Sequence, residues 1–488
     1  MSAKIGYRSE PIRDLLMRGE RILLIVSVVF ALVAARPYAG SWNDGSRLAT
    51  VETLVERNTL CIDHSIFVSV PEEREGRPLP YPRDREDLLT HGTQDKLYIG
   101  GHFYSDKTPL PSVYLAGVYQ VYRWLGGPTA LDRPDWFCRV MTWFSAGVSF
   151  VLAIAGVLAI GRRLGLSDRL RLEIAAAFGF ATILPGYAGT VNAHIIQLAL
   201  AVWLFHGLLT IPTVSRPMRW IAWCGILTGM AYSADASAGL TLLVAVVIGL
   251  LGMTRSPIAV LTLLLFASPF ILGHHVINYW VGGSLAPANA NPDYFHWEGS
   301  PFTTGKITGR WRHGTSLHFL EYCGDLLFGK QGFLFHNLPL LLLGVWSWPL
   351  LKCAKRERAI VFTAVLWCLA TFFLAAVSST NRSGQCLSVR WFLPLLAPGF
   401  MALAMLLQDR PSLIPEFRLL ALWGVPLAVG SAIYGLWIPH MIPGYWGIIA
   451  GALVSWVVFA VYRTNKEWFR FDLSFPFFVG KRMKDAVV

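Results

Sequence analysis

The sequence predicts an all-α polytopic membrane protein with about twelve transmembrane helices and a first outer loop that carries two juxtamembrane helices. Three observations predict this class. Hydrophobic residues make up 54% of the 488 residues, and the mean hydropathy is +0.48. Charged residues make up only 15%, against roughly 25% in soluble domains. Apolar runs of about 17–22 residues, the length of a helix that crosses a bilayer, recur along the chain.

Charge and composition exclude several classes of protein. The formal net charge is +12, but the basic residues fall mainly in short loops between apolar runs, where they mark the cytoplasmic side and do not indicate nucleic-acid binding. The 19 Trp fit anchoring at membrane interfaces. The 7 Cys have no CxxC spacing, so neither a disulfide framework nor a zinc site is indicated. No P-loop or dinucleotide-binding pattern occurs, so no nucleotide cofactor is expected.

The first apolar run, 22–35, follows a basic N-terminal segment. One interpretation is a cleaved signal peptide, because Val33-Ala34-Ala35 resembles a small-residue cleavage site. However, apolar residues upstream of the run lengthen it into a helix that can span the membrane. We therefore interpret 1–16 as a cytoplasmic N-terminus and the run as a retained helix.

The predicted transmembrane domain covers 17–462 and is followed by a basic cytoplasmic tail, 463–488. With both termini in the cytoplasm, the long loops 37–138 and 278–332 share the outer side. The predicted spans are 17–36, 139–160, 171–187, 190–211, 218–234, 237–253, 257–277, 333–351, 358–378, 391–407, 418–437 and 445–462.

The first outer loop contains two further helical patterns. Apolar residues at helical spacing after Asp44 predict a short amphipathic helix on the membrane surface that ends near Asn58; they are Leu48, Val51, Leu54 and Val55. Segment 71–95 is polar and rich in proline, and we expect a loop there. Segment 112–125 is too short to span, and the arginines after the next span fall in the cytoplasm only if 112–125 lies flat. It is therefore predicted as a second juxtamembrane helix.

Ionisable side chains collect at the outer ends of the predicted helices, where such groups are costly and tend to be functional. Each has an ordinary structural interpretation by itself: Asp44 can cap a helix, Lys107 can extend to the interface, and Arg390 can anchor a helix end. Their shared side of the membrane is what indicates a site. The set comprises Asp44, Arg47, Asp106, Lys107, His194, Asp235, His274, His275 and Arg390.

This set of side chains has a chemistry in common. A carboxylate near the surface can act as a general base towards a hydroxyl or an amine, and Lys and Arg can hold a departing phosphate. Two juxtamembrane helices can shape a cleft that is reached from both bilayer and water. A lipid-linked phosphate donor would fit such a cleft.

Two motifs resemble the GT-C superfamily of membrane glycosyltransferases, in the branch of the protein O-mannosyltransferases and the bacterial lipid A aminoarabinose transferase. The first motif is Asn43-Asp44-Gly45-Ser46-Arg47-Leu48-Ala49, directly after the first helix. The second is Tyr104-Ser105-Asp106-Lys107-Thr108-Pro109-Leu110, before the second juxtamembrane helix. Two later segments, Phe328-Gly329-Lys330-Gln331-Gly332-Phe333 and Ser388-Val389-Arg390-Trp391-Phe392-Leu393-Pro394, are similar to segments of bacterial members.

The resemblance implies a hexosyl- or pentosyltransferase with a polyprenyl-phosphate sugar as donor and inversion at the sugar carbon. Asp44 is then the catalytic base, and Lys107, Arg390 and Arg47 hold the donor phosphate. The resemblance also implies a divalent metal ion near the second motif, held by Asp106 with His274 or His275. Further candidates at the outer face are Asn43, His102, Tyr104, His194 and Asp235.

Two departures from the motifs matter. Asn43 stands where many relatives have the first of two adjacent acids, which argues against a two-carboxylate metal site there. Thr108 replaces the first Pro of a Lys-Pro-Pro pattern. The large soluble C-terminal domain of oligosaccharyltransferases is not found in this sequence, so sequon-directed N-glycosylation is not expected.

The sequence therefore predicts a membrane glycosyltransferase at the outer face of a bacterial inner membrane, with a lipid, glycan or protein as acceptor. Two alternatives stay open. One is a polytopic transporter or flippase for lipids or solutes, whose polar groups would lie near the bilayer centre. The other is a catalytically silent relative that binds a lipid or assists assembly.

Overall fold

The computed structural model describes residues 10–302, 311–347, 357–384, 386–437 and 442–464, and within them the chain is helical apart from one two-stranded hairpin and its loops. The elements are α1 (Glu10–Ala34), α2 (Trp42–Glu56), α3 (Glu86–His91), β1 (Lys96–Ile99), β2 (His102–Ser105), α4 (Pro109–Trp124), α5 (Pro134–Thr142), α6 (Val148–Arg163), α7 (Asp168–Phe180), α8 (Leu184–Tyr187), α9 (Ala193–Thr210), α10 (Pro217–Ala234), α11 (Ala236–Thr254), α12 (Pro257–Gly282), α13 (Ser316–Phe328), α14 (Leu341–Trp346), α15 (Arg358–Ser378), α16 (Leu396–Asp409), α17 (Ile414–Tyr434) and α18 (Tyr445–Thr464).

The chain is a multi-pass membrane protein. Eight helical stretches within the described residues are long and apolar enough to cross a bilayer, and each coincides with a predicted span. A π-helical turn at Trp143–Gly147 joins α5 to α6, so the first of these stretches is continuous. The stretches are Pro134–Arg163, Ala193–Thr213, Ala236–Thr254, Pro257–Gly282, Arg358–Ser378, Arg390–Asp409, Pro411–Tyr434 and Tyr445–Arg463.

Of the other four predicted spans, two are helical and two are interrupted. Spans 17–36 and 218–234 are helical in α1 and α10. Span 171–187 is interrupted after Phe180, because the Thr182 hydroxyl bonds back to the Phe178 carbonyl and Pro185 has no N–H to continue the helix. Span 333–351 contains a turn and the short α14, and its last residues lie outside the described part, as does the predicted tail from 465 onward.

The two juxtamembrane helices are present as α2 and α4, which pack against each other. Helix α2 differs from the expected surface helix, since Asn43–Thr53 is buried on all sides except at its last turn. The chain from 57 to 95 packs over α2, where Ser46 bonds to Asp95 and Glu52 bonds to Ser65. Beneath this cover lies a separate apolar core with Phe67, Tyr119 and Phe137, each at most 1% exposed. Burial of each such side chain contributes about 2 kcal/mol.

A buried carboxylate holds the covering loop onto α2. Glu52 accepts hydrogen bonds from the Ser65 hydroxyl at 2.5 Å and the Ile66 N–H at 3.1 Å. Burial raises the pKa of Glu52 to about 8, because loss of hydration outweighs these hydrogen bonds. Glu52, which holds the loop between α2 and the hairpin in place, therefore favours its protonated carboxyl form.

The hairpin was not predicted. Strands β1 and β2 pair in antiparallel register from Lys96 opposite Ser105 to Ile99 opposite His102. Gly100 and Gly101 form the two-residue turn with φ of 60° and 88°, a conformation that costs glycine little. The register continues to the strand ends, so the residues just outside it, Asp95 and Asp106, meet side by side.

Helix α10 packs closely on α12. A Cβ on Gly225 would lie 2.4 Å from the Leu263 carbonyl oxygen, and one on Gly229 would lie 2.5 Å from that of Ala267. Small residues four apart therefore let the two backbones touch, as is common between membrane helices. The end of α10 carries Asp235, one of the predicted site residues.

We predict that Glu52 makes the stability of the protein depend on pH. The folded state holds the Glu52 proton more tightly than the unfolded chain, so this contribution is complete below a pH of 4.5 and is lost as the pH rises through about 8. The unfolding midpoint in detergent should therefore fall over this range in the wild type. Glu52→Gln should flatten the dependence, and the exposed Glu75→Gln should not. An unchanged pH profile in Glu52→Gln would contradict the assignment.

Candidate active site

A cavity of about 500 Å³ opens between the start of α2, the ends of the hairpin and the loops after α12 and α15. Its charged lining includes Asp95, Asp106, Lys107 and Arg390. Aromatic side chains face the same space; they are Trp42, Phe295, Phe302, Trp391 and Trp437. A concave site with a few convergent charges and an aromatic wall is typical of a ligand site.

Lys107 lies between two carboxylates. Its Nζ is 2.6 Å from an oxygen of Asp95 and 2.8 Å from an oxygen of Asp106. The exposed fractions of these three side chains are only 12–14%, so each charge depends on the others for compensation. Burial raises the pKa of Asp106, and Lys107 partly offsets that shift.

Short hydrogen bonds place this trio. The Ser46 hydroxyl of α2 donates to the Asp95 carbonyl and meets the Ser105 hydroxyl, both at 2.6 Å. The Thr108 hydroxyl donates to the Ala234 carbonyl at the end of α10, at 2.7 Å. Thr108, a departure from the resembled motif, therefore ties the second motif to a transmembrane helix, which a proline could not do.

Two arginines extend the charged side of the site. Burial lowers the pKa of Arg47 to about 10, although the nearby Asp106 and Asp235 oppose that shift. Arg390 lies over the Trp437 ring at 5.2 Å from the ring centroid. Among the described residues, the buried Nε and Nη1 of Arg47 and the Nε of Arg390 have no hydrogen-bond partner. Buried donors are rarely left in this state without a ligand or water.

Asp44 lies beside the cavity but is not part of its lining. It is 1% exposed, and its two oxygens accept from the Gly40 N–H at 2.7 Å and the Ser41 hydroxyl at 2.6 Å. Burial raises the pKa of Asp44 to about 6, and the hydrogen bond from Ser41 opposes that shift. Ser41 does line the cavity and is the N-cap of α2. Asp44 therefore reaches the cavity through the Ser41 hydroxyl.

His194 and Asp235 form a pair at the ends of α9 and α11, with His194 Nδ1 3.5 Å from an Asp235 oxygen. Asp235 also caps α11 by accepting from the Ser237 N–H. Asp235 lies near Arg47 and opposes the shift in the pKa of Arg47, but neither side chain of the pair lines the cavity. The pair lies behind the charged wall of the site.

The predicted metal ligands Asp106, His274 and His275 differ in their hydrogen bonding. His275 uses both ring nitrogens, towards the Tyr232 hydroxyl at 2.9 Å and the Leu285 carbonyl at 2.7 Å. His274 packs against Asn278. In the described part of the chain, Asp106 belongs to no group of three ligand atoms spaced for one ion. One oxygen of Asp106 is paired with Lys107, whereas Oδ1 of Asp106 and Nδ1 of His274 are buried without a hydrogen-bond partner among the described residues. A metal ion held by Asp106 and a histidine therefore stays a prediction.

The remaining candidates divide between two places. Asn43 lines the cavity next to Trp42. His102 and Tyr104 lie on β2, where His102 contacts Asp63 and Tyr104 pairs with Cys61. Neither of the two strand residues lines the cavity.

Asp95 is the functional candidate that sequence reasoning missed. It lies at the end of a stretch predicted as a loop. A usable signal existed: Gly100-Gly101 between the alternating segments Lys96–Ile99 and His102–Ser105 is typical of a two-residue hairpin. That hairpin would have placed Asp95 opposite Asp106.

Comparison with known proteins finds matches among solved structures. ArnT from Cupriavidus metallidurans, bound to undecaprenyl phosphate, is 15% identical with a TM-score of 0.47, and the alignment covers 92% of this chain and 72% of ArnT. The Archaeoglobus fulgidus oligosaccharyltransferase, in complex with Zn and sulfate, is 13% identical with a TM-score of 0.49 over 86% of this chain. The chain spans about half of that archaeal protein, 54% of its length.

Both matched proteins belong to the GT-C superfamily. This chain is similar to them over most of its length. No family model matches the chain, and no curated protein sequence matches it. An activity depends on the side chains at the site, which the alignment of helices does not address.

We predict that Lys107 is needed to hold the two carboxylates of the site together. Lys107→Ala leaves Asp95 and Asp106 buried without a counter-charge, which should lower the free energy of unfolding by roughly 3 kcal/mol. Adding Asp95→Asn should restore part of this loss, because one of the two like charges is removed. Thermal and denaturant unfolding in detergent measures both effects. Lys330→Ala, an exposed lysine, is the control, and equal losses in the single and double variants would refute the pairing.

Proposed function

We propose that the chain is an integral membrane glycosyltransferase that moves a sugar from a polyprenyl-phosphate donor to a lipid, glycan or protein acceptor, with inversion. The observation that carries the proposal is the pair of arginines with unpartnered buried nitrogens beside a cavity that also holds Lys107. A phosphate is the ligand that satisfies several such donors at once.

The proposed phosphate site lies at the Lys107–Arg390 wall of the cavity. Arg390 contributes a planar guanidinium with a free Nε, and Arg47 supplies further charge from behind it. Leaving these donors unsatisfied costs about 1–3 kcal/mol each, so a bound phosphate recovers that energy. Asp95 and Asp106 hold Lys107 in place.

The aromatic wall is the proposed place for the sugar and the first part of the lipid. Arg390 lies over Trp437 and next to Trp391 in the chain, and Trp42 and Phe302 pack against each other in the same cavity lining. Flat aromatic faces suit a sugar ring that presents C–H groups, and a cavity bounded by helix ends lets a lipid tail continue into the bilayer.

The proposed reaction is a single displacement. The acceptor oxygen or nitrogen attacks the anomeric carbon while the bond from that carbon to the phosphate oxygen breaks. The polyprenyl phosphate leaves with an added negative charge, which Lys107 and Arg390 stabilise. The acceptor gives its proton to the Ser41 hydroxyl as Ser41 gives its own to Asp44, and Asp44 later releases it to water.

The proposed topology places the site at the outer face of a bacterial inner membrane and both termini in the cytoplasm. The first outer loop, 37–138, and the second, 278–332, then both contribute to the cavity. Asn289 of the second loop donates to the Asp106 carbonyl at 2.8 Å, which supports placing the two loops on the same side. Transmembrane segments within 17–462 hold the site, with the basic segment from 463 as the tail.

The arrangement supports an enzyme over a transporter. Asp235 caps α11, His194 is the second residue of α9, and Arg390 begins the turn before α16. These charges lie at helix ends, whereas a transport path would place them near the middle of the spans.

We predict that purified protein transfers sugar from a polyprenyl-phosphate sugar and that three substitutions remove most of this activity. Asp44→Asn should lower kcat/KM by about 10²-fold or more through loss of the base. Lys107→Ala and Arg390→Ala should lower it by about 10²–10³-fold through loss of charge stabilisation. Arg83→Ala, an exposed arginine in the same outer loop, is the control. Wild-type turnover in both Asp44→Asn and Lys107→Ala would show that the mechanism is wrong.

We predict that the rate depends on the protonation of Asp44. Since the base must be ionised, kcat/KM should rise with pH through about 6 and then level off. Ser41→Ala removes both the proton relay and a hydrogen bond that lowers the pKa of Asp44, so kcat/KM should fall and the inflection of the residual activity should move to higher pH. A pH–rate profile measures both values. If Asp44 acts only as a cap, Ser41→Ala will change the rate without moving the inflection.

A further inference from the structure

A second cluster of reactive side chains lies on the hairpin, away from the cavity. Segment 61–63 runs along β2 as a third short strand, with Cys61 bridged to Tyr104 and the Ile62 N–H donating to the Phe103 carbonyl at 2.8 Å. Side chains alternate between the faces of a strand. Ile62 is therefore fully buried, while Cys61 and Asp63 point to the opposite face.

The same alternation brings His102 to that face. His102 Nδ1 is 2.8 Å from an Asp63 oxygen and 3.7 Å from the Cys61 sulfur. One ligand atom from each of the three side chains lies within 4.8 Å of the other two. Cys61 and Asp63 are two residues apart on one strand, and His102 lies across from them on β2. The backbone therefore holds the three side chains in one cluster.

These distances fit one zinc ion. With Zn–S of about 2.3 Å and Zn–N of about 2.0 Å, tetrahedral geometry places sulfur and nitrogen about 3.5 Å apart. The observed sulfur-to-nitrogen distance is 3.7 Å. The nitrogen-to-oxygen distance of 2.8 Å is that of a hydrogen bond and would open by about 0.5 Å as the ion replaced the shared proton.

The chemistry of the ligands selects the ion. A thiolate with an imidazole and one carboxylate favours Zn²⁺ over Mg²⁺ or Ca²⁺, which prefer oxygen ligands. Thiolate and carboxylate together carry two negative charges and neutralise the ion. The His102 side chain is 59% exposed, so an ion can enter from solvent and keep water as a fourth ligand.

The second oxygen of Asp63 is hydrogen-bonded to the backbone of β2. It accepts the Phe103 N–H at 2.6 Å, which orients the carboxylate towards His102. A metal ion would therefore meet a carboxylate and an imidazole whose positions the hairpin has set in advance.

We propose that Cys61, Asp63 and His102 form a zinc site that fastens segment 61–63 to β2. The site is distinct from the cavity, since none of the three residues lines it. Its effect on the cavity is indirect, because β2 leads directly to Ser105, Asp106 and Lys107. An ion here would stiffen the hairpin that presents Asp95 and Asp106. The proposal does not rest on the proposed glycosyl transfer.

The test uses the full-length protein in detergent, stripped with a chelator and titrated with Co²⁺ as a spectroscopic substitute for Zn²⁺. Wild type should bind one equivalent with an intense thiolate-to-cobalt absorption band, and Zn²⁺ should displace it. Cys61→Ser should lose the band, and His102→Gln and Asp63→Asn should weaken Co²⁺ binding by about 10–100-fold or more. Cys323→Ser, another partly exposed thiol, is the matched control and should behave as wild type.

Thermal unfolding separates metal binding from damage to the fold. Zn²⁺ should raise the unfolding midpoint of the wild type and of Cys323→Ser, and should leave that of Cys61→Ser unchanged. Without metal, wild type and Cys61→Ser should unfold at the same temperature, because Cys61 is partly exposed. A thiolate band retained in Cys61→Ser, or a Zn²⁺ shift equal in both proteins, would overturn the proposal.

Discussion

The charge of Lys107 between Asp95 and Asp106 is the constraint on which the site depends. Three ionised groups that are largely removed from water are stable only when they stay within contact distance of one another. The hairpin must therefore end with Asp95 beside Asp106, and α4 must begin immediately after Thr108. The Thr108 hydroxyl then bonds to the end of α10. The charged trio is therefore linked to the position of the outer loop on the membrane helices.

The site combines paired charges with buried polar atoms that have no partner. Lys107 pairs with Asp95 and Asp106, whereas Nε and Nη1 of Arg47, Nε of Arg390 and Oδ1 of Asp106 have no hydrogen-bond partner among the described residues. A site that combines charges held in place with unsatisfied donors suits an anionic ligand, because the free-energy cost of burying the donors is already part of the folded state. The aromatic wall beside Arg390 places an apolar or ring-shaped group next to that anion.

Asp44 shows that a capping residue and a catalytic residue need not be alternatives. It accepts the N–H of Gly40 and the hydroxyl of the N-cap Ser41, which fixes the entry into α2. Its burial also brings its pKa to about 6, near the range in which a base works at neutral pH. Both properties follow from the same position, just beneath the cavity wall.

The amino-acid sequence by itself determined the membrane class, eight of the spans, the two juxtamembrane helices and the second motif, because hydropathy and helical periodicity are local properties. Asp95 was missed because its importance comes from strand register, although Gly100-Gly101 signalled the turn. The contact of Cys61 with His102, 41 positions later, could not be read from the sequence. Lys107 and Arg390 were placed at one site only through their shared side of the membrane and a family resemblance, and the tertiary structure brings both to the lining of one cavity. Such residues are far apart in the chain, and only the tertiary packing of loops on helix ends decides which distant side chains come together.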